Sequence, residues 1–483
     1  MVRAMHSAAP RPTPGAPTGA VGPVRVTGAP GTAGTLHPRP PQQHPEPITR
    51  RSLVAGLATS GAFAMLAAAC RSGPAAGPRQ QAPTLTGKLT FWSFGETEPS
   101  NAAWEQRLAD FRAAHPQASV ERVVYSYADI HDKLPVVVAG GTPPDVTVYD
   151  RYLIPAAAFR GLVRDIMPGA RTAGIRAELY QPWTWQEVFI DGKLYGLPYT
   201  TDSRMVYVNV AHLEQAGLPS TPPPTLDDFV QVADRLIVRE GGTFRRLGFI
   251  PWRDNWGLYG WGWLFGGEFY DPKANRVTLD SPRIQAALQW VGEQAARLGY
   301  LPAEEYASRA AAAGDLFLTQ AVSTFLQANG WLPRLLRGEP EAMNWTVWPP
   351  PAPQGVGRTH TWSGGFATVV PSEVKQPDAA FELARFLSDA EFQRIQARTG
   401  LWLPVLKELQ QDPFWNTVDP RVKQFVDLLQ YSHSRPPIPQ IRLLTTELNM
   451  ARDAVVKGEK TARAALQEAN DRVNQAIAER RVD

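Results

Sequence analysis

Tryptophans and short polar side chains fall together at several points of this chain. Trp92, Ser93 and Glu96 follow a β-rich run from Lys88, and Tyr149-Asp150 close a second such run. Trp256 ends the stretch Trp252-Arg253-Asp254-Asn255-Trp256, and Trp261 opens Trp261-Gly262-Trp263, where glycine lets backbone and rings approach closely. Trp402, in Gly400-Leu401-Trp402-Leu403-Pro404, is a further candidate wall. Rings supply flat apolar faces, while hydroxyls, amides and carboxylates give and take hydrogen bonds. A site built from both suits a ligand with apolar faces and a hydroxylated edge. Trp104, Trp183, Trp185, Trp290 and Trp345 read as core.

The elements that must position these residues alternate between strand and helix. Lys88 to Trp92, Val120 to Tyr125 and Asp145 to Tyr149 read as strands, separated by helical spacing over Asn101 to Ala114 and Ala128 to Ala139. Such a rhythm predicts an α/β fold with a mostly parallel sheet, whose ligands sit at the carboxyl ends of the strands. The second half is richer in helix: Leu226 to Arg239, Ile284 to Leu298, Ala379 to Leu387, Val422 to Leu429, and two stretches from Thr445 to Glu479 parted near Gly458. Asp191-Gly192-Lys193 is a hairpin turn signal. Thr225 and Asp228 stand in a capping-box relation at the start of a helix.

Of the 483 residues, the first 47 are rich in Pro, Gly, Ala and Thr and read as disordered. Residues 48–69 combine Arg50-Arg51 with a short apolar run and small residues before the lone cysteine, Cys70, which makes an export signal of the twin-arginine type. Cys70 is the expected lipidation site, and residues 70–84 a flexible tether. Ala67, rather than leucine, stands three residues before Cys70, so ordinary signal cleavage at the same bond stays open. The first 69 residues carry six arginines and one acid, so the formal charge of +3 becomes −2 from Cys70 onward. That balance argues against nucleic acid as a partner. One cysteine excludes an internal disulfide and a cysteine metal site. His360 has no second histidine at ligand spacing, so neither a metal nor another cofactor is expected.

Four segments together resemble the extracellular solute-binding proteins of ABC importers, in the sugar-binding family that includes maltose-binding protein. They are Phe111 to Asp150, with Gly140-Gly141-Thr142-Pro143-Pro144-Asp145-Val146; Asp191 to Pro198, leading into Met205 to Asn209 and Glu214 to Leu218; Pro224 to Phe229; and Gly364 to Pro371 with the helix after it. The resemblance implies a type II periplasmic-binding-protein fold, in which two α/β lobes are joined by crossing strands and ligand is held in the cleft. Placed on this chain, it implies crossings near Tyr199 to Arg204, after the strand Ala321 to Leu326, and near Trp362 to Ala367. The amino-terminal lobe would take 85–201 plus 327–362, and the carboxyl-terminal lobe 204–324 plus 367–483.

The crossings add Thr201, Asp202 and Arg204 to the candidate ligand site. They also add Asn329 and Trp331, where the family has its Gly-x-Trp platform, and Trp362, Ser363, Gly364 and Gly365. The implied function is a receptor that captures a sugar by hinge closure and delivers it to ABC permease subunits, without catalysis. It would be a monomer, exported to the periplasm or the outer face of the cell membrane. A secreted carbohydrate-active enzyme is the main alternative, since Glu96, Asp150 and Asp202 supply carboxylates. No serine nucleophile elbow, His-Glu-x-x-His or phosphate loop accompanies them. A receptor for glycerol-phosphate or polyamine is a further alternative. The mixed acids and bases at these positions favour a neutral mono- or oligosaccharide.

Overall fold

The computed structural model describes residues 85–94, 100–341, 343–356 and 359–482. Arg50, Arg51, Cys70, the tether and Glu96 lie outside the described residues. The first lobe is built on β1 (Gly87–Phe94), β2 (Ala118–Tyr125) and β3 (Val146–Asp150), with β1 parallel to both neighbours. The helix Ser100–Ala114 joins β1 to β2 and buries Trp104, Leu108 and Phe111 along one face. The helix Tyr127–Ala139 joins β2 to β3, its first turn capped by the Ser126 hydroxyl, which accepts from the Asp129 amide at 3.1 Å. β3 is buried throughout, as the central strand of a covered sheet must be.

β4 (Leu197–Pro198) follows the predicted hairpin, in which Asp191 and Gly192 both hold positive φ, at 49° and 77°. Next come β5 (Arg204–Asn209), β6 (Thr324–Ala328) and β7 (Trp345–Trp348), then β8 (Thr361–Trp362), β9 (Phe366–Val369) and β10 (Ser432–His433). Two main sheets result. The first is five-stranded, in the order β2-β1-β3-β9-β4, and the second three-stranded, in the order β6-β5-β7. Thr225 caps the helix Leu226–Arg235 as its sequence predicts, accepting from the Asp228 amide at 3.1 Å.

The pairing redraws two of the expected lobe segments. Residues 327–362 were expected in the first lobe, yet β6 and β7 run antiparallel to β5 on its two sides and complete the second sheet. The chain turns back after β6 because Trp345, Val347 and Trp348 bury into the same core as β5. Residues from 367 were expected in the second lobe, yet β9 lies antiparallel between β3 and β4. The helix Ala390–Gly400 then packs on Ser100–Ala114, whereas Ile441–Val456 packs on Pro282–Leu298 in the second lobe. The chain therefore crosses near 199–203, near 363–365 and near 411–419. In the last of these, Gln410 still bonds Gln181 at 2.6 Å, while Arg421 already donates to the Trp345 carbonyl at 2.9 Å.

Candidate functional site

The crossings are tied by a buried ion pair. Arg151, the residue after β3, is wholly buried and donates to Glu187 Oε2 at 2.8 Å, to the Gly364 carbonyl at 2.6 Å and to the Thr200 carbonyl. One guanidinium thus pins the end of β3 to two of the three crossings. Burial pushes the Glu187 carboxyl up from its ordinary range, and Arg151 pulls it back. Gly365 has φ 130°, and a Cβ there would lie 2.3 Å from the Thr200 carbonyl oxygen, so glycine is required by packing. Thr201 donates to the Gly364 carbonyl at 3.0 Å, and Ser363 shares a short hydroxyl–hydroxyl bond with Ser432. β8 and β10 pair in parallel beside them.

A second arginine is equally committed. Arg204 donates to Asp202 Oδ1 at 2.6 Å, to the Trp362 carbonyl at 2.8 Å and to Asn255 Oδ1 at 2.9 Å, with its guanidinium 3.4 Å from the Trp362 ring centroid. Burial acts to lower its pKa, and Asp202 opposes that. Asp202 also accepts from the Gly364 amide at 2.8 Å. Trp362 donates its indole N–H to the Trp256 carbonyl at 2.9 Å. Thr201, Asp202, Arg204, Trp362, Ser363, Gly364 and Gly365 are therefore brought together, as a cross-linked hinge floor.

At the end of β3, Asp150 accepts from the Tyr127 hydroxyl at 2.9 Å and faces Arg435 at 3.6 Å. Tyr149 is buried behind it. Burial pushes its phenol up to about 12, with Arg442 working the other way. Other candidates are spent on packing. Ser93 accepts from Arg122 Nε at 2.7 Å, and Trp92 meets Tyr125 edge-on at 4.7 Å. Trp261 donates to the Pro251 carbonyl and packs on Trp290 at 4.6 Å. Trp256 is fully buried. Trp331 packs between Phe317 at 5.7 Å and Phe325 at 5.4 Å, with only 9% of its surface exposed, so both ring faces serve the second lobe's core. Asn329 donates to the Leu401 carbonyl at 3.1 Å and Trp402 to Ser100 at 2.9 Å.

The open volume lies beside this floor. A cavity of about 370 Å³ is lined by Gln186 of the first lobe, by Trp263, Glu268, Phe269 and Tyr270 of the second, and by Arg435 on the segment leaving β10. Its size falls within the range of small-molecule sites. A larger hollow of about 440 Å³, which includes Tyr180 and Lys407, is lined by first-lobe residues alone and does not bridge the lobes. Trp263 stacks on His433 at 5.1 Å and lies 6.4 Å from Trp362, so cavity and floor are continuous. Burial raises the Glu268 carboxyl, with Trp263 opposing. Glu268 is the only carboxylate among the described lining residues; with Gln186, Tyr270 and Arg435 it supplies the open polar groups, while Trp263 and Phe269, at 3% and 1% exposed, back the cavity from the second lobe's core.

Sequence reasoning offered Trp261-Gly262-Trp263 and singled out Trp261, whereas it is Trp263, across Gly262, that lines the cavity. Alternation would not separate them, because a helix, Gly257–Leu264, carries both. It also missed Gln186, Glu268 to Tyr270, and Arg435. The one available signal was an acid–aromatic run after Gly266-Gly267 and an arginine before Pro436-Pro437.

Comparison with known proteins fits this geometry. Residues 106–422 match the family model described as bacterial extracellular solute-binding protein. Among curated relatives, the diacetylchitobiose-binding protein DasA of Streptomyces coelicolor is 26% identical over 37% of this chain and 41% of its own length. The first two curated relatives are thus matched over only about two fifths of their length, at 41% and 37%. The galactooligosaccharide-binding protein of Bacillus subtilis is 22% identical over 84% of this chain and 94% of its own. Among solved structures, that of CpMnBP1 with mannotriose bound superposes with a TM-score of 0.69 at 22% identity, over 80% of this chain and 99% of its own.

Proposed function

Because the chain belongs to the bacterial extracellular solute-binding protein family, we propose that it is the receptor of an ABC importer for a neutral sugar, a short oligosaccharide above all. The observation that carries this reading is the interlobe cavity of about 370 Å³, with rings from Trp263, Phe269 and Tyr270 beside Glu268 and Gln186. Rings pack against the C–H faces of a sugar, and the acceptors and donors read its hydroxyls. The lobes close over the ligand by hinge motion about the three crossings, and the closed form delivers it to permease subunits. The receptor acts without turnover: a glycosidase flanks the scissile bond with two carboxylates, and among the described lining residues Glu268 is the one carboxylate. Export through the Arg50-Arg51 signal, anchorage by lipid at Cys70 and a monomeric state complete the proposal, on the sequence signals alone.

Titration calorimetry against a panel of mono- to tetrasaccharides, with product analysis, tests it. One-to-one binding of an unchanged neutral sugar is expected. Turnover of the sugar, or binding only of polyamines or sugar phosphates, would overturn it. Intact mass of the exported protein separates an acylated Cys70 from a free thiol.

A further inference from the structure

Arg435 lines the cavity and reaches back to the crossing, its Nη2 lying close to Gly364. It leaves β10, the strand paired with β8 at the crossing, and is followed by Pro436, Pro437 and Pro439 before the second lobe's helix Ile441–Val456. Those prolines fix the backbone on its carboxyl side, so the arginine is held out at a set place rather than trailing on a mobile loop. Its guanidinium carbon lies 3.4 Å from the ring centroid of Tyr152, on the first lobe, and 5.4 Å from that of Trp362, at the crossing. Its Nη2 is 3.6 Å from Asp150 Oδ1, again on the first lobe. Both side chains of that pair are nearly buried, at 12% and 13% exposed. Arg442, one residue into the next helix, reaches Tyr149 of the same strand end. One face of the cavity is formed by Arg435 itself.

We infer that Arg435 is the clasp that holds the two lobes together over the cavity: a second-lobe cation seated on a ring and a carboxylate of the first lobe. The inference rests on the proposed two-lobe receptor and concerns how its cleft is regulated. A flat guanidinium can stack on Tyr152 while its edge faces Asp150, which an ammonium cannot do. When the lobes part, Tyr152 and Asp150 move away together with the first lobe and the seat is emptied. Closure and seating of Arg435 are therefore one event. Ligand affinity then depends on the clasp, because a receptor that closes less often binds more weakly in proportion. Arg435 is a positioning residue in this scheme, acting through lobe closure.

The test uses the full exported protein without ligand. Small-angle scattering of Arg435→Ala should show an expanded particle, and millimolar methylguanidinium, a free copy of the lost group, should return it towards the wild-type profile. Arg435→Lys should stay expanded. The saccharide dissociation constant of Arg435→Ala should rise about tenfold, the effect of cutting the closed fraction to about a tenth. Tyr152→Leu, which removes the seat from the other lobe, should expand the particle in the same way if Arg435→Ala fails to fold. Unchanged scattering in folded Arg435→Ala and Tyr152→Leu, or a lysine variant as compact as wild type, overturns the clasp. Scattering needs no ligand, so a wild-type protein that binds no saccharide would sink the receptor reading while leaving this result to stand by itself.

Discussion

The hinge floor and the cavity wall meet at Trp263 and Trp362, yet they treat polar groups in opposite ways. In the floor, Arg151 and Arg204 donate to carbonyls and carboxylates of their own chain, and Asp202 accepts from both a side chain and a backbone amide. In the wall, Gln186 and Glu268 are exposed, and the Glu268 carboxylate keeps acceptor capacity beyond its contact with Trp263. A polar group whose bonds are already made to its own protein fixes geometry. One with bonding capacity to spare can read a ligand. The residues that look most chemical in the sequence belong mainly to the first kind.

Breaking the floor should cost stability first. Arg151→Ala leaves Glu187 buried without its partner and is expected to cost about 3–5 kcal/mol in chemical unfolding. The deficit should depend on pH. Burial already holds the folded Glu187 pKa above its ordinary value and removing Arg151 raises it further, so the deficit is smallest at low pH, where the carboxyl is protonated in both folded proteins, and grows as pH rises past the wild-type folded value. A variant equally unstable at every pH would show that the Glu187 charge is not the cause. Trp331→Ala belongs to the same class: about 3–5 kcal/mol of unfolding free energy lost from the second lobe's core, with little change in sugar affinity. A large loss of affinity at unchanged stability would return Trp331 to the ligand site.

Breaking the wall should do the reverse. Tyr270→Ala is expected to weaken sugar binding by about 2 kcal/mol, read by calorimetry at a temperature where the variant is folded. Glu268→Gln keeps an acceptor of the same shape and should weaken a neutral sugar by only about 0.5–1 kcal/mol. A much larger effect would mean that the ligand carries positive charge, and the boundary between floor and wall would then be electrostatic as well as geometric.

Much of the architecture was legible because it depends on local rules. The spacing of Trp104, Leu108 and Phe111 marks a helix face, Asp191-Gly192 reverses the chain, and Gly458 parts the last two helices. The lobe assignment of β6, β7 and β9 was not, because the strands next to a given strand are decided by long-range burial and leave no trace in their own residues. The site was legible only at its floor. Glycine pairs and Trp-Ser-Gly runs report where backbone must pass close to backbone, and that is what a crossing demands. Nothing local distinguishes Trp263 from Trp261. The difference is which side of one helix meets Phe249 and Trp290 and which meets Trp362 and His433.

The insertion of β9 between β3 and β4 sets an order of assembly. The strand that closes the first sheet is synthesised only after the whole second sheet, so until it arrives β3 offers a bare edge of unpaired amides and carbonyls at the middle of the lobe. Contacts of such separation form late and slowly. A chain stopped between Trp348 and Phe366 would carry a finished second sheet beside an unfinished first one. The first lobe's sheet, though begun first, is thus closed only after the second lobe's sheet is complete, while the second lobe's own helices Ile441–Val456 and Ala462–Ala478 come last of all.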